Sequence, residues 1–199
     1  MTLTTPYIYG EVLDSARLTC RFLKPEDAIA WVPFFEDAES VAGLPDVGQP
    51  SAFATAAFWI DRQMARYREH RYGLQALLLK ESGEMVGMCG LLLQEIEGKP
   101  ELEVGYHMLA AHRGNGYAPE AAAFFIDFAF RNNQSQTVVS VIEVNNINSQ
   151  KVAEKNGLVR EKRISYAGME VYIYRITKES WAMKADSTPS ANYHGTDLR

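Results

Sequence analysis

Cysteine is scarce in this chain of 199 residues. The two cysteines, Cys20 and Cys89, lie in apolar, strand-like surroundings and show no C-x-x-C spacing. A disulfide framework needs more cysteines than this, so we expect two reduced, buried thiols in a cytoplasmic protein. The four histidines lack the spacing of metal ligands, and we therefore expect no metal site.

Long apolar runs and excess positive charge are also missing. No run of apolar residues is long enough to span a membrane, and the N-terminal segment has neither a basic cluster nor an apolar core. We therefore expect no membrane span and no signal peptide. The 20 basic and 25 acidic residues give a net charge of −5, which argues against a general nucleic-acid-binding surface.

The composition is typical of one globular domain. The chain is 47% hydrophobic, and its length allows a substantial core. We predict a single domain over residues 1–184 and a polar tail without a core of its own over residues 185–199.

The stretch from Glu101 to Arg131 combines a strand pattern, a glycine loop and a helix pattern. Polar and apolar residues alternate from Glu101 to about Leu109, which predicts a half-buried strand. Apolar residues at helical spacing from about Tyr117 to Arg131 predict a buried helix, and Pro119 suits its first turn.

The glycine loop between these elements is a candidate anion site. It consists of Arg113, Gly114, Asn115, Gly116, Tyr117 and Ala118. Its glycines let the backbone turn tightly, and the first amides of the next helix have no partner within that helix, which favours a phosphate or pyrophosphate. The loop matches neither the dinucleotide fingerprint nor the P-loop, because Pro119 replaces the third glycine and no Gly-Lys-Ser/Thr follows. A plain turn is the alternative.

Further strands and helices are predicted on both sides of this stretch. The strands are expected at residues 16–23, 73–80, 85–96, 137–144, 159–165 and 170–177, and the helices at 24–35, 51–71 and 149–156, with a helical turn at 178–184. Asn148 or Ser149 is expected to cap the helix at 149–156. Residues 36–50, rich in glycine and proline, are expected to form a loop that either lines a substrate site or merely connects elements.

These motifs resemble those of the GCN5-related N-acetyltransferase (GNAT) superfamily. The acetyl-CoA-binding pattern of that family, Arg/Gln-x-x-Gly-x-Gly/Ala, is matched by Arg113, Gly116 and Ala118. Together with the preceding residues 103–106, the loop resembles the ribosomal-protein N-terminal acetyltransferase branch in particular. The resemblance extends over roughly residues 13–177.

A second family element lies further along the chain. The family pattern Asn-x-x-Ser…Glu-Lys-x-Gly-Phe is matched from Asn146 to Leu158, with leucine in place of phenylalanine. The resemblance implies an α/β (α+β), GNAT-like fold, in which helices flank a central mixed, mostly antiparallel sheet of about six or seven strands.

The resemblance also implies an activity, the transfer of an acetyl group from acetyl-CoA to a primary amine by direct attack. The implied acceptor is a protein or peptide N-terminal amine, with a small-molecule amine as a close alternative. Homodimers occur in the family, so a second copy of the chain is a candidate partner, whereas the net charge and the lack of long apolar runs argue against nucleic acid and membrane partners. A non-catalytic acyl-CoA-binding or regulatory protein remains the alternative, because Ala153 replaces a tyrosine that many members carry.

Site roles follow from the resemblance in the same way. The strand edge formed by His107, Met108 and Leu109 is implied to pair with the pantetheine amides, and the glycine loop is implied to bind the pyrophosphate. Asn146 matches a position that contacts the cofactor through its side chain, although a loop cap is an equal interpretation of this residue alone.

Glu103 is our candidate for the general base, with Glu101 and His107 as substitutes. A carboxylate buried on a central strand has a raised pKa, which suits a base near neutral pH, although an exposed or ion-paired strand residue is the alternative. Ser149 is the candidate acid for the leaving thiolate, and a helix cap is its other interpretation.

Overall fold

The computed structural model describes residues 12–42, 44 and 47–187. In chain order the elements are β1 (Val12–Asp14), β2 (Leu18–Arg21), α1 (Asp27–Glu36), α2 (Ala38–Val41), α3 (Ala52–Arg68), β3 (Leu74–Leu79), β4 (Met85–Ile96), β5 (Lys99–Met108), α4 (Tyr117–Arg131), β6 (Thr137–Glu143), α5 (Ile147–Lys155), β7 (Val159–Tyr166), β8 (Met169–Thr177) and α6 (Lys178–Ser187). A single 3₁₀ turn, Ala110–His112, precedes the glycine loop.

The strands form one mixed sheet in the order β1-β2-β3-β4-β5-β6-β8-β7. Neighbouring strands are antiparallel, except that β5 and β6 are parallel. Within the described part of the chain, β5 and β6 pair in register only at Glu103 and Val139. The two strands therefore diverge beyond Glu103, and a cleft opens between their C-terminal halves.

Helices cover both faces of the sheet. On one face, Phe125 and other apolar residues of α4 pack with Leu102 and Val104 of β5. On the other face, Trp31 of α1 and Ile60 of α3 pack with strand residues of β3 and β4. This two-sided burial follows from the alternation of side chains along a strand, which sends even-numbered residues of β5 to α4 and odd-numbered residues to the α1/α3 face.

The sequence predictions are confirmed for the fold class and for the central helix and strand, while several details differ. Within the described residues the sheet has eight strands rather than six or seven, because the short β1 lacked a periodic pattern. The predicted loop at residues 36–50 contains the helix α2, which Asp37 caps by accepting from the N–H of Ser40. Residues 43, 45 and 46 of that loop lie outside the described part.

The residue that caps α5 differs from our expectation. We expected Asn148 or Ser149 as the cap, but Asn146 Oδ1 accepts the N–H of Ser149 at 3.0 Å, and the helix starts at Ile147. At the C-terminus, α6 continues to Ser187, past the expected boundary at residue 184. Residues 188–199 of the predicted polar tail lie outside the described part. The extent of the single domain stays a prediction.

Candidate active site

A cavity of about 830 Å³ occupies the cleft between β5 and β6. The glycine loop and the start of α4 line one end, α5 lines the side next to β6, and α1 and α3 line the sheet face opposite α4. All of the sequence-predicted site residues except Glu101, Leu109 and Asn115 line this cavity: Glu103, His107, Met108, Arg113, Gly114, Gly116, Tyr117, Ala118, Asn146 and Ser149.

The glycine loop has the backbone conformation that an anion site requires. Gly114 and Gly116 have φ values of +80° and +78°, in the left-handed region that favours glycine. Gly116 is the N-cap of α4, and no side chain caps the helix there. The N–H groups of the first turn therefore have no side-chain cap, and the residues present fit an anionic group such as a pyrophosphate.

The N-terminal segment braces this loop through Arg17. Its guanidinium Nε donates to Glu120 Oε2 at 2.6 Å, and its Nη1 donates to the carbonyl of Asn115 at 3.1 Å. The guanidinium carbon also lies 4.7 Å from the centre of the Tyr117 ring. One side chain thus holds both the loop and the first turn of α4.

Arg113, the first residue of the family pattern, is bound by acidic and polar residues around α2. Its Nη2 donates to Asp37 Oδ2 at 2.9 Å and to the hydroxyl of Ser40, and its Nη1 donates to Glu39 Oε2 at 3.2 Å. Glu39 also accepts from Asn148 of α5 at 3.2 Å. Helix α2 therefore bridges the two sides of the cleft.

The free edge of β5 can be assigned from its pairing with β4. Leu109 donates its N–H to Val86 at 3.1 Å, which fixes the phase of the antiparallel ladder. Alternation then directs the amides of Tyr106 and Met108 away from β4, towards the cleft. The amide of Leu109 is thus already bonded to β4. The pairing of His107, Met108 and Leu109 with pantetheine stays a prediction.

Glu103 lies where β5 and β6 begin to diverge, and it is only 7% exposed. Gln94 Nε2 donates to its Oε2 at 2.7 Å, and the N–H of Val141 donates to its Oε1 at 3.2 Å. Burial raises the pKa of Glu103 to about 6, although these hydrogen bonds and the charge of Arg66 oppose the rise. The carboxylate is therefore poised to exchange a proton near neutral pH.

The two alternative candidates for the general base, Glu101 and His107, have surroundings that differ from those of Glu103. Glu101 forms a bidentate ion pair with Arg175, with both distances at 2.9 Å. His107 packs edge-on against Phe34 and Trp59, with ring centres 5.4 and 5.6 Å away. Burial lowers the pKa of His107 to about 4, so its ring is neutral at pH 7.

The second family motif lies at the β6 side of the cleft. Asn146 uses its side-chain oxygen to cap α5, which leaves its amide group for other contacts. The carbonyl of Ser149 accepts the hydroxyl proton of Tyr106 at 2.8 Å. Ala153, which replaces the family tyrosine, is 1% exposed and belongs to the core.

Three residues that the sequence did not single out belong to the site. Gln94 holds Glu103 and in turn accepts from the hydroxyl of Tyr166 at 3.2 Å. Phe34 and Trp59 flank His107. No local pattern marks these residues, because each reaches the site from a different element.

The described residues contain neither a candidate metal site nor a helix that could span a membrane. No group of three or more His, Cys, Asp or Glu side chains in this part of the chain could hold a metal ion. None of its helices is both long and apolar enough to cross a membrane.

Known proteins share this sequence pattern and fold. The profile of the acetyltransferase (GNAT) domain matches residues 17–159. The protein YkkB of Bacillus subtilis (strain 168) is 31% identical over 168 residues, which cover 82% of this chain and 92% of YkkB. A crystal structure of an acetyltransferase from Agrobacterium tumefaciens str. C58 superposes with a TM-score of 0.69 at 26% identity, covering 85% of this chain and 96% of that one.

A solved structure of RimL, a ribosomal L7/L12 alpha-N-protein acetyltransferase in complex with coenzyme A, shares the fold. It has a TM-score of 0.67 at 16% identity and covers 85% of this chain and 99% of its own. Together, the fold and the matching domain profile define an acyltransferase. The chain belongs to the GNAT acetyltransferase family, whose members use acetyl-CoA, and its fold is shared with ribosomal-protein acetyltransferases.

Proposed function

We propose that the protein transfers the acetyl group of acetyl-CoA to a primary amine, and that Glu103 is the general base. The observation that carries this proposal is a buried carboxylate with a pKa of about 6 at the divergence of β5 and β6, in the same cavity as the glycine loop. A protein or peptide N-terminal amine is the favoured acceptor, and a small-molecule amine is the alternative.

The proposed reaction is a direct transfer. Acetyl-CoA binds with its pyrophosphate on the amides of the glycine loop and its pantetheine along the free edge of β5. Glu103 accepts a proton from the ammonium group, directly or through a water molecule, and the freed lone pair attacks the thioester carbonyl. The C–N bond forms, the C–S bond breaks, and the CoA thiolate takes a proton from Ser149 or from water.

In this proposal a backbone N–H group stabilises the oxygen of the reacting carbonyl. The alternation along β5 directs the N–H groups of Tyr106 and Met108 into the cleft. A donor fixed in a partly buried cleft stabilises the negative charge that develops on the thioester oxygen, and it requires no reorganisation during the step.

Cofactor binding is tested by thermal unfolding with acetyl-CoA, and with ATP and NAD as controls. Ligand at about a hundred times its dissociation constant stabilises a protein by roughly 2.7 kcal/mol, so we expect a clear rise in the midpoint with acetyl-CoA alone. An equal response to ATP or NAD, or no response to acetyl-CoA, would contradict the assignment of the cleft.

Catalysis is tested by CoA release with a panel of amines. We expect Glu103→Gln to reduce kcat/KM by about a hundredfold or more at pH 7.5, with the acetyl-CoA-induced midpoint shift retained. Glu95→Gln, an exposed substitution on β4, is the matched control and should leave both properties unchanged. Full activity of Glu103→Gln would remove Glu103 from the mechanism.

A further inference from the structure

The cavity has two chemically different halves. The half next to the glycine loop and α5 carries polar residues such as Asn146 and Ser149. The half on the α1/α3 face, which we call the apolar half, carries mainly apolar and aromatic side chains beside Gln94 and Tyr166. Six apolar residues line this second half: Phe34, Leu44, Trp59, Leu92, Met169 and Val171. Glu103 and His107 project to the same face, opposite α4, so an amine that reaches Glu103 from this side must pass along the apolar lining.

Three rings, Phe34, Trp59 and His107, form what we call the aromatic wall. Phe34 and Trp59 each meet the His107 ring nearly perpendicularly, at 80° and 83°. Trp31 stacks behind Phe34 with ring centres 4.5 Å apart, and Phe35 packs edge-on against Trp59 at 5.5 Å. The wall is therefore held in place from behind, and it offers a preformed surface to an apolar or aromatic group.

Gly105 also lines the cavity, on the strand face that carries Glu103 and His107. It occupies the position on β5 between Glu103 and His107, on the same face. A Cβ atom at Gly105 would lie 3.3 Å from Leu92 and 3.4 Å from Leu74, so any side chain there would press on Leu92, which also lines the cavity.

The charges around the cavity favour a single ammonium group. Of the acidic side chains among the described lining residues, Glu39 pairs with Arg113 and Asn148, and Glu143 accepts two hydrogen bonds from Asn145 at 2.9 Å. Glu103 is the acid left for the apolar half. The charge of Arg66 also acts on Glu103 and disfavours a second cation nearby.

We propose that the acceptor is a primary monoamine on an aromatic or bulky apolar body, which packs against the aromatic wall while its nitrogen lies at Glu103. This inference rests on the proposed acetyl transfer and names the substrate class for it. Among the described lining residues of the apolar half, a second ammonium group would meet neutral rings and no further carboxylate, so its burial is costly. Polyamines are therefore poor acceptors.

The test compares 2-phenylethylamine with 1,4-diaminobutane as acceptors, measured by CoA release at saturating acetyl-CoA. We expect kcat/KM to be at least about tenfold higher for 2-phenylethylamine, as for pockets that select an apolar group. Trp59→Ala should lower kcat/KM for 2-phenylethylamine by about tenfold and leave the value for the diamine within a factor of about two. Equal use of the diamine, or a parallel loss for both amines, overturns the proposal.

The matched control is Phe53→Ala, since Phe53 is on the same helix α3, is 52% exposed and lies outside the cavity lining. Phe53→Ala should leave kcat/KM unchanged for both acceptors. If Trp59→Ala does not fold, Trp59→Phe keeps an aromatic ring and should retain the preference for 2-phenylethylamine. Gly105→Ala adds a methyl group that presses on Leu92 of the cavity lining, and it should reduce the use of 2-phenylethylamine. Unchanged use by Gly105→Ala would overturn the proposal.

Such an amine can be a peptide N-terminus or a small molecule, and peptides that begin with Phe or with Lys test the first of these sources. Preference for the Phe peptide over the Lys peptide, whether or not free 2-phenylethylamine is also used, supports the proposal, and the reverse order overturns it. If no amine leads to release of CoA, the proposed function fails. The proposed amine class is then tested by amine binding alone. A saturable change in tryptophan fluorescence with 2-phenylethylamine, absent in Trp59→Phe, would support the aromatic wall, and its absence from the unmodified protein would overturn it.

Discussion

Burial acts in opposite directions on the two titratable residues that flank Gly105 on β5. It raises the pKa of Glu103 to about 6 because it disfavours a carboxylate, and it lowers the pKa of His107 to about 4 because it disfavours an imidazolium. The same strand face therefore carries a carboxyl group that titrates near neutrality and a histidine that stays neutral.

The first residue-scale prediction concerns Gln94, which we regard as a positioning residue for Glu103. Its donated hydrogen bond stabilises the carboxylate and lowers the pKa of Glu103. In Gln94→Leu we expect the acid limb of the kcat/KM profile to shift to higher pH, so that activity at pH 6 falls several-fold while activity at pH 9 is retained.

Tyr166→Phe is the control for Gln94→Leu. It removes the hydroxyl group that donates a hydrogen bond to Gln94 but keeps the hydrogen bond from Gln94 to Glu103. We therefore expect a smaller shift of the pH profile. An unchanged profile in Gln94→Leu would mean that Gln94 does not tune the base.

A second residue-scale prediction concerns acid stability. The pKa of His107 is lower in the folded state than its ordinary value of 6.5, so the unfolded chain binds more protons between these values. The stabilising contribution of neutral His107 is present above pH 6.5 and is lost as the pH falls towards 4. It amounts to about 3 kcal/mol.

His107→Phe removes this proton uptake and keeps an aromatic ring against Phe34 and Trp59. We expect the difference in unfolding free energy between His107→Phe and the unmodified protein to shift in favour of His107→Phe as the pH falls from 7 to 4.5. Denaturant titrations across that range measure the difference, and a constant difference would contradict the assigned shift. The matched control is His70→Phe.

At the scale of elements, the glycine loop depends on a residue that lies outside the loop. The left-handed glycines shape the turn, but Arg17, which immediately precedes β2, ties the Asn115 carbonyl, the Tyr117 ring and Glu120 of α4 together. The candidate anion site is therefore built from two segments that are about a hundred residues apart.

We expect Arg17→Gln to weaken acetyl-CoA binding by about threefold to tenfold, because the loop loses its brace. Calorimetric titration measures the affinity. The unfolding midpoint of the free protein should change little, since Arg17 is 51% exposed in its pair with Glu120 and such surface pairs contribute at most about 1 kcal/mol. Arg163→Gln, which removes the exposed Arg163–Glu170 pair, is the matched control, and equal losses in both variants would contradict a specific brace.

At the scale of the whole molecule, the cleft is closed by contacts between distant parts of the chain. Glu39 of α2 binds Arg113 before α4 and Asn148 of α5, so three regions meet above the cavity. A pyrophosphate that approaches Arg113 must compete with the carboxylates of Asp37 and Glu39.

We therefore expect Glu39→Gln to bind acetyl-CoA a few-fold more tightly at low ionic strength, with the difference shrinking at high salt as charges are screened. Titrations at two salt concentrations measure the effect. Glu36→Gln makes the same change of net charge outside the cavity lining and serves as the control. Weaker binding by Glu39→Gln would show that the bridge retains the ligand rather than competes with it.

The sequence by itself determined the elements that local chemistry defines. Strand β4 and helix α4 have the expected bounds because a continuous apolar pattern and flanking glycines specify them within a single segment. The glycine loop follows from the same local pattern, whereas Glu103 was chosen as the candidate base on the resemblance to the family, and its role stays a prediction. The expected loop between α1 and α3 was only partly correct, since the four residues of α2 are too few for a periodic signal.

Only the tertiary structure decided how these elements combine. Pairing between β5 and β6 stops at Glu103, and this divergence creates the cavity. Burial by other elements, not the strand pattern, sets the pKa of Glu103, and α1 and α3 bring Phe34 and Trp59 to His107. These properties depend on contacts between residues far apart in the chain, and periodicity and spacing describe only neighbours along it.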